Sequence, residues 1–592
     1  MQNKQTQLPL TSEQQAIVTN VAVGKNILVD ACIGSGKTSV LAEIYRQNPN
    51  KKILYLTFNK LLKEEARKRL EWRQGSIITN YHSFVMSYLK GLKENLPPID
   101  EFLGVFVKHV RSGQIVLPQN WDLVMIDEYQ DINEGMAEVL ECVKQANPSI
   151  QILAVGDMMQ KIYDNTSLDV QHWLKGFIGK HVQIGLTNCF RLSKNHAAML
   201  GRVWEKPING VNENCQIEHI NLAKAVELAS NYNIEDILCL GGKAGLRNDL
   251  QNQLEEKYPQ KFNKYTLYSD IKEKDGNATK DTSEAAVFTT FDASKGMERK
   301  ICFICDFTKS YWSLRSTQDT KYEILRNLFC VGASRGKEKI YFVAENPKDL
   351  LDESTLKKRF DTTYRKSYSI STMFDFKKKE NIDKCFKLLQ TQKKEQSDHK
   401  IIPTKTYDGF IDLTPCMGIY QEVSYFKNFD IKKEWKSIRR TEFKDKISRK
   451  FITEMTTTKE YAMYLTAVET GQQRYCDQVE VDFMEYEAER DLHKRIGAIL
   501  PIDAPVQVPS PLDFGIFDVN GLCDVFYNNT PYELKFVKEL KNEHFLQCAC
   551  YILALGRPEG ILWNTRDNTM YTVQIPDEDK FCNAIRDCIR DV

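Results

Sequence analysis

Ile27-Leu-Val-Asp-Ala-Cys-Ile-Gly-Ser-Gly-Lys-Thr38 decides how this chain is read: a β-branched apolar run ends in a glycine turn that carries Lys37 and Thr38. The pattern predicts strand, loop and helix in that order. Gly34, Ser35 and Gly36 let backbone N–H groups approach phosphate oxygens. Lys37 has the reach for a β/γ-phosphate, and Thr38 offers a hydroxyl to Mg²⁺ at the positive end of a helix dipole. Ala31 stands where the general form of this loop has its first glycine.

At 592 residues the chain exceeds what one core can organise, so several domains are expected. Hydrophobic content of 42% and charged content of 27% suit a soluble globular protein. No apolar run reaches membrane-spanning length, and the first residues lack an apolar signal core, so a cytoplasmic location with no membrane partner is expected. The 16 cysteines follow no regular framework, and Cys302, Cys330 and Cys550 lie in apolar runs, which points to reduced thiols. A net charge of +1 means that any surface for nucleic acid must be local.

Upstream of the loop, Leu10-Thr-Ser-Glu-Gln-Gln15 reads as a capped helix start. An amide from Gln14 or Gln15 suits an adenine edge because it both donates and accepts, and Gln15 is taken as that residue. Residues 51–60 form a second buried strand, and Ser76-Ile-Ile-Thr-Asn-Tyr-His-Ser-Phe84 a third. Strand ends in an open parallel sheet face the ligand crevice, so Phe58, Tyr81, His82 and Phe84 are expected there as platforms for bases. The strand through Trp121 ends in Asp127-Glu128. Asp127 is placed to hold Mg²⁺ through water, and Glu128 to act as general base on the water that attacks a γ-phosphate. Gln160, beyond the strand Ile152–Gly156, is placed to sense that phosphate.

These segments resemble, in order, the motifs of superfamily 1 DNA helicases of the UvrD/Rep/PcrA type: Ala-x-x-Gly-Ser-Gly-Lys-Thr at 31–38, Asp-Glu-x-Gln-Asp at 127–131 and Gly-Asp-x-x-Gln at 156–160. In that family Ala31 is a normal residue. Leu186-Thr-Asn-Cys-Phe-Arg191 is similar to the family's Asn-Tyr-Arg box, Thr290-Phe-Asp-Ala-Ser-Lys-Gly-Met-Glu298 to Thr-x-His-x-x-Lys-Gly-x-Glu, and Phe329-Cys-Val-Gly-Ala-Ser-Arg335 to Tyr-Val-Ala-x-Thr-Arg. The resemblance implies ATP as cofactor with Mg²⁺, Arg191 and Arg335 reaching the γ-phosphate from a second motor domain, Lys295 near the cleft, Glu298 on the nucleotide sugar and 3′-to-5′ translocation. Asp292 departs from the pattern by replacing the usual histidine.

In the last part of the chain, Asp518–Tyr527 and Tyr532-Glu-Leu-Lys-Phe-Val537 read as two strands of a hairpin. Glu533 and Lys535 share a face. If Asp524 joins them, two carboxylates for Mg²⁺ or Mn²⁺ and a lysine for the attacking water converge. The set is similar to a PD-(D/E)XK nuclease of the RecB-like form. By that resemblance His493 is an early metal contact, and Gln547 and Tyr551 are the Gln-x-x-x-Tyr pair that meets nucleic acid. Cys582 and Cys588 lack a neighbouring Cys-x-x-Cys, so no iron–sulfur cluster is expected. Between the two parts, Lys432–Arg440 is basic and interleaved with Trp435, with Phe443 following, which suits a phosphate backbone.

The expected fold class is α/β: two RecA-like parallel-sheet motor domains, a helical connector and a small α/β restriction-endonuclease-like domain. The expected boundaries are 1–185 with a small insertion at about 85–120, 186–348 with one at about 200–285, a basic connector at 349–470 and the nuclease-like domain at 471–592. The resulting expectation is an ATP-driven DNA helicase or translocase coupled to a metal-dependent nuclease, acting on DNA with a single-stranded region in recombination, repair or defence. Two alternatives are an ATP-gated nuclease that does not unwind, and a helicase whose last domain is an inactive DNA- or partner-binding module.

Overall fold

In the computed structural model β1 (Ile27–Ala31) runs through a glycine loop into the helix Lys37–Gln47. The structure describes residues 9–58, 60–70, 73–92, 101–162, 168–242, 245–269, 284–315, 322–357, 366–374, 377, 379–403, 406–407, 410–429, 457–479 and 482–590. The basic stretch at 432–450 lies outside these residues. With β2 (Ile53–Thr57), β3 (Ile77–Asn80), β4 (Leu123–Asp127), β5 (Gln151–Gly156) and β6 (Val182–Leu186), β1 forms a six-stranded sheet in the order β3-β2-β4-β5-β1-β6. Every pair is parallel. All of Ile53–Thr57 is buried, as a parallel strand with both faces covered must be. Asp30 pairs with Gly156 and Asp127 with Val155, so the ends of β1, β4 and β5 open on one edge. That edge is where an open sheet of this kind takes its ligand.

The third predicted strand stops at Asn80, whose side chain caps the helix Tyr81–Leu89 by accepting from Ser83 N. Tyr81 and Phe84 are only 1% and 2% exposed. Phe84 packs against Phe106 and Trp121 in the core beside the sheet. Neither ring is available as a base platform, which corrects the sequence reading: the aromatic cluster begins a helix rather than ending a strand, and its apolar spacing serves packing.

After a two-stranded link, β7 (Asn188–Cys189) with β8 (Asn209–Gly210), a second all-parallel sheet follows. It contains β9 (Gln216–Ile220), β10 (Ile237–Gly241), β11 (Leu267–Ser269), β12 (Ala286–Thr290), β13 (Arg299–Cys305) and β14 (Gly336–Val343), in the order β11-β12-β10-β13-β14-β9. The insertion expected at about 200–285 therefore contains strands β9, β10 and β11 of this sheet, joined by the helices Leu222–Asn231 and Leu246–Lys257. Counting residues between motifs cannot separate sheet-building segments from inserted ones.

The C-terminal unit starts earlier than expected. Beyond β15 (Lys366–Ser369), β16 (Gln390–Lys394) and the two-stranded β17 (Thr406–Tyr407) and β18 (Ile411–Asp412) come the helices Thr414–Tyr425, Thr458–Thr470 and Tyr486–Gly497. Then follow β19 (Val506–Pro509), β20 (Leu512–Asp513), β21 (Phe517–Asn520), β22 (Leu522–Tyr527), β23 (Thr530–Lys535), the helix Asn542–Ala554, β24 (Glu559–Asn564) and β25 (Thr569–Gln574). Six of these strands form a sheet in the order β16-β25-β24-β23-β22-β19, and β15 pairs with β21 in a second, three-stranded one. β15 and β16 thus come from the stretch assigned to the connector. The sheet's centre is helix, three antiparallel strands, helix, and then β24 parallel to β23. Asn528 and Asn529 turn the β22–β23 hairpin with φ of 48° and 65°, the left-handed pair of a two-residue turn.

Candidate functional site

The first site surrounds the loop after β1. Gly34 and Gly36 are left-handed, at φ 65° and 79°. A Cβ on Gly34 would stand 2.7 Å from Arg191 Cβ, and one on Gly36 would stand 2.9 Å from Gln14 Nε2. Glycine is therefore required twice over, for conformation and for close approach. Gln14 is 5% exposed, and its Nε2 donates to Ser35 O at 3.1 Å while its Oε1 accepts from Thr11 N. Gln15 is exposed. The amide at the loop is Gln14, a correction of one position that the helix phase decides.

Lys37 Nζ lies 3.5 Å from Glu128 Oε1. Glu128 is itself left-handed, at φ 55° and ψ 51°, a conformation that costs a non-glycine residue about 1 kcal/mol or more. Gln130 Nε2 donates to its other oxygen at 2.7 Å. Burial works to raise the Glu128 carboxyl, but Lys37 and Lys295 overcome it and hold the group below its ordinary range. Asp127 goes the other way: burial and then the Glu128 charge push it up to about 7. Its Oδ2 accepts from the Tyr55 hydroxyl at 3.0 Å. Thr38 is half-buried in the first turn of the loop helix. Gln160 Nε2 donates to Asp157 Oδ2 at 2.8 Å, so its amide is fixed to a neighbour.

The second sheet closes this edge. Arg191 and Lys337 both bond Glu298, and Arg191 first, then Lys337, draws its carboxyl down to about 2 against the effect of burial. Arg335 is 3% exposed and donates to Met297 O at 3.3 Å, while burial and the nearby Arg191 charge lower it to about 9. Lys295 bonds Asp131 and Gln160 O, spanning from one sheet to the other. It also lies 5.8 Å above the ring of Phe58, which is half-buried, as is His82. Asp292, in the usual histidine's place, holds Arg315 through two bonds of 2.9 and 3.0 Å. Six buried atoms around the loop have no hydrogen-bond partner: Ser35 Oγ, Asp127 Oδ1, Asp131 Oδ2, Arg191 Nε and Nη1, and Arg335 Nε. Each costs about 1–3 kcal/mol when left so, and together they form a polar lining suited to a charged ligand.

Sequence reasoning passed over three residues here. Phe190 is 42% exposed, and its ring carbons lie 3.9 Å from where a Gly36 Cβ would be, next to Gln14. Its position in the same box as Arg191 could have singled it out. Gln130 links the acidic pair to β5 by accepting from Asp157 N at 3.0 Å. Lys206 pins the loop strand through Asp30 at 2.7 Å and Asp157 at 2.8 Å, and no local pattern announces it.

Residues 14–166 match an AAA domain. The AAA domain spans the first sheet up to β5 and holds Lys37, Asp127, Glu128 and Gln160, whereas Arg191, Glu298 and Arg335 lie beyond it. Over 61 residues the chain is 46% identical to F-box DNA helicase protein 1 of Schizosaccharomyces pombe; this covers 10% of the chain and 7% of that protein. Among solved structures, DUF1998 helicase MrfA bound to DNA aligns at 11% identity and a TM-score of 0.33, covering 57% of this chain and 49% of the helicase. The chain therefore spans well under two thirds of both proteins.

The second site lies on the C-terminal sheet. Val525 pairs with Tyr532, which sets Asp524 directly across from Glu533. Asp524 Oδ2 accepts from Leu534 N at 2.7 Å, and Lys535 Nζ lies 2.6 Å from Glu533 Oε1. Glu533 is 4% exposed, and its Oε2 is buried without a partner. Burial, then Glu533, then Glu422 raise the Asp524 carboxyl well above its usual range. The three residues expected to converge therefore do.

His493 is placed elsewhere: its Nε2 shares a 2.8 Å hydrogen bond with Ser424 Oγ, and its ring leans on Tyr425. Gln547 and Tyr551, expected at the nucleic acid, are buried at 8% and 5% exposure. Gln547 Nε2 donates to Ser371 O at 3.0 Å. Tyr551 lies where Glu533 and Asp524 add to burial in raising its hydroxyl. Tyr551 thus faces the carboxylates from within. Among the described residues no three His, Cys, Asp or Glu side chains are gathered at chelating distance, and no helix is long and apolar enough to cross a membrane. Cys385, from the expected connector, neighbours Cys588 and Cys550, a gathering of thiols that linear spacing does not reveal.

Proposed function

We propose that this chain is an ATP-hydrolysing motor on DNA with a single-stranded region, coupled to a metal-dependent nuclease. The observation that carries the motor is the closing of Arg191, just after the β7–β8 link, and Arg335, just before β14, on the loop that holds Lys37 and on the Asp127–Glu128 pair. Lys37 and the arginines supply the positive charge that phosphoryl transfer develops against, and Glu128 is the base for water. One guanidinium just after the β7–β8 link, a second just before β14 and a phosphate loop on the first sheet make hydrolysis sensitive to how far the sheets stand apart, which turns chemistry into motion. Phe190 and Gln14 form the base end of the nucleotide site. Asp127 with Thr38 provides oxygen donors for Mg²⁺, which when bound neutralises the phosphates.

The nuclease reading is supported by the helix–three-strand–helix–strand centre of the C-terminal sheet, the order of the PD-(D/E)XK fold, with Asp524, Glu533 and Lys535 on one face. The orphaned Glu533 Oε2 and an all-oxygen donor set fit a hard divalent cation, whose role there is to polarise a phosphodiester. The experiment is an end-labelled duplex with a single-stranded tail, incubated with Mg²⁺ with and without ATP, using wild type, Lys37→Ala and Lys535→Ala. Strand displacement lost only in Lys37→Ala and cleavage lost only in Lys535→Ala are expected; retention of metal-dependent cleavage in Lys535→Ala removes the nuclease. A second reading, an ATP-gated nuclease that moves without separating strands, is favoured by the two short helices Tyr81–Leu89 and Phe102–Arg111 that stand between β3 and β4. ATP hydrolysis stimulated by single strands without displacement selects it.

A further inference from the structure

We propose that Lys206 is a positioning residue for ATP hydrolysis, reaching from beside the second sheet to fix Asp157 and, through it, Gln160 and the base Glu128. The proposal rests on the motor reading above and adds a residue that lies in none of the boxes quoted from the sequence. Lys206 follows the helix Lys194–Trp204, whose Ala197, Leu200 and Trp204 share a core with Leu238 and Leu240 of β10. Lys206 N donates to Gly201 O at 2.9 Å. A Cβ on Gly201 would stand 2.8 Å from Lys206 O, so the chain turns here against bare backbone. The side chain crosses to the first sheet, where Nζ donates to Asp30 Oδ1 at 2.7 Å, Ala31 O at 3.0 Å and Asp157 Oδ1 at 2.8 Å.

The side chains of Lys206 and Asp157 are 12% and 1% exposed, a buried pair in which loss of one partner strands the other. Burial works to lower the ammonium, but Asp157 and then Asp30 hold it above its ordinary range. Asp157 passes the constraint on in two directions. Its Oδ2 accepts from Gln160 Nε2 at 2.8 Å. An ionised carboxylate only accepts, so the amide nitrogen of Gln160 must face it, and Oε1 is the end that Gln160 can offer to the attacking water. Asp157 N donates to Gln130 Oε1 at 3.0 Å, and Gln130 Nε2 donates to Glu128 Oε2 at 2.7 Å. A Cβ on Gly156 would stand 2.6 Å from Gln130 Oε1, so the strand end is glycine where that amide passes. The result is an unbroken polar chain of Lys206, Asp157, Gln130 and Glu128, ending on the carboxylate that takes the water's proton. The same turn is gripped a second time: Asn327 Nδ2 donates to Met158 O at 3.3 Å and Lys161 O at 3.0 Å. Its Oδ1 accepts at 3.0 Å from Nε1 of Trp204, at the end of the helix that leads to Lys206.

The test is steady-state ATP hydrolysis by the full chain with saturating single-stranded DNA, with binding of a fluorescent ATP analogue and the melting temperature read alongside. Lys206→Met is expected to lower kcat by about tenfold or more, the scale of a misplaced reacting group. The KM for ATP should stay within about twofold, because Gln14, Lys37 and Phe190 keep their places. Lys206→Arg, which restores the ion pair, is expected to recover most of the loss. A Lys206→Met chain with wild-type kcat overturns the assignment. So does one that no longer binds the analogue, since Lys206 then serves the fold alone, and so does an equal loss in Lys206→Arg. A wild-type chain that hydrolyses no ATP, or Lys37→Ala with full hydrolysis, removes the motor reading itself.

Discussion

The motor cleft and the C-terminal row of Glu422, Asp524, Glu533 and Lys535 are both buried ionic sites, and they differ in how far basic charge answers acidic. Around the loop, Lys37, Lys206, Lys295, Arg191, Arg335 and Lys337 interleave with Asp30, Asp127, Glu128, Asp131, Asp157 and Glu298. The signs are a Glu298 carboxyl drawn down to about 2 and an Arg335 guanidinium lowered to about 9 by burial and by Arg191. On the C-terminal sheet the surplus is acidic, with Asp524 raised well above its usual range and Glu422 pushed to about 8. The orphaned atoms differ in kind: the first site has three guanidinium nitrogens of Arg191 and Arg335 beside the oxygens of Ser35, Asp127 and Asp131, while Glu533 and Gln547 of the C-terminal unit contribute oxygens. On the proposed reading the first site receives a polyanion and the second a cation.

The comparison breaks most readily at Lys37. Lys37→Ala removes the cation nearest Glu128, and a steady-state assay should show ATP hydrolysis reduced by about a hundredfold or more. Metal-dependent cleavage that needs no ATP should persist; loss of both activities would mean that the sites are not separable. Next in size is Lys535→Met. Taking the only ammonium from three buried carboxyls should destabilise the C-terminal unit by about 3 kcal/mol in chemical denaturation, with the motor's ATPase intact. An unaltered denaturation midpoint would show that the row carries less charge than its geometry implies.

Phe190→Ala sharpens the base end of the cleft. It should raise the KM for ATP by about tenfold with little change in kcat, in line with the loss of one ring–base stack. An unchanged KM would assign Phe190 to another role.

The smallest effect is in pH. The folded chain holds the Glu422 proton up to about 8, whereas the unfolded chain releases it near 4.5, so the folded state binds more protons across that window. Stability of the metal-free C-terminal unit should therefore fall as pH rises from about 5 to about 8. On the helix Lys194–Trp204, which packs on β14 through Phe342, His196 is bonded to Ala333 O at 2.7 Å and is lowered by burial to about 4 from 6.5. There the unfolded chain binds more protons, and stability falls as pH drops through that window. Limited proteolysis across pH should find the two halves yielding at opposite ends.

The motor was legible in the sequence because its chemistry sits at strand ends. A strand that must be buried on both faces is an unbroken apolar run, and the residues just after it are those brought to the ligand edge. Lys37, Asp127 and Glu128 could be read in this way. Helix phase and distant packing are not legible in this way: Gln14 rather than Gln15 meets the loop, and Tyr81 and Phe84 fill the core instead of lining the crevice. Asp524, Glu533 and Lys535 followed from strand alternation and a two-residue turn. His493 did not, because a helix register carries no information about which sheet face the helix will cover. Glu422 and Lys206 were invisible for a related reason, since each reaches its site from an element whose local pattern serves packing.

Within the second sheet, β10 leads into the helix Leu246–Lys257, whose first turn is capped from β13's end by Asp306, with Leu246 N donating to Asp306 Oδ1 at 3.1 Å. The same helix carries Asn252, whose Oδ1 accepts from Gln473 N at 3.0 Å, and Glu255, bonded to Arg474 of the C-terminal unit with side chains only 6% and 2% exposed. The seam between the units is therefore written into both of them. A movement of that helix is thereby passed directly to the C-terminal unit, because its amide and acidic face is shared between them.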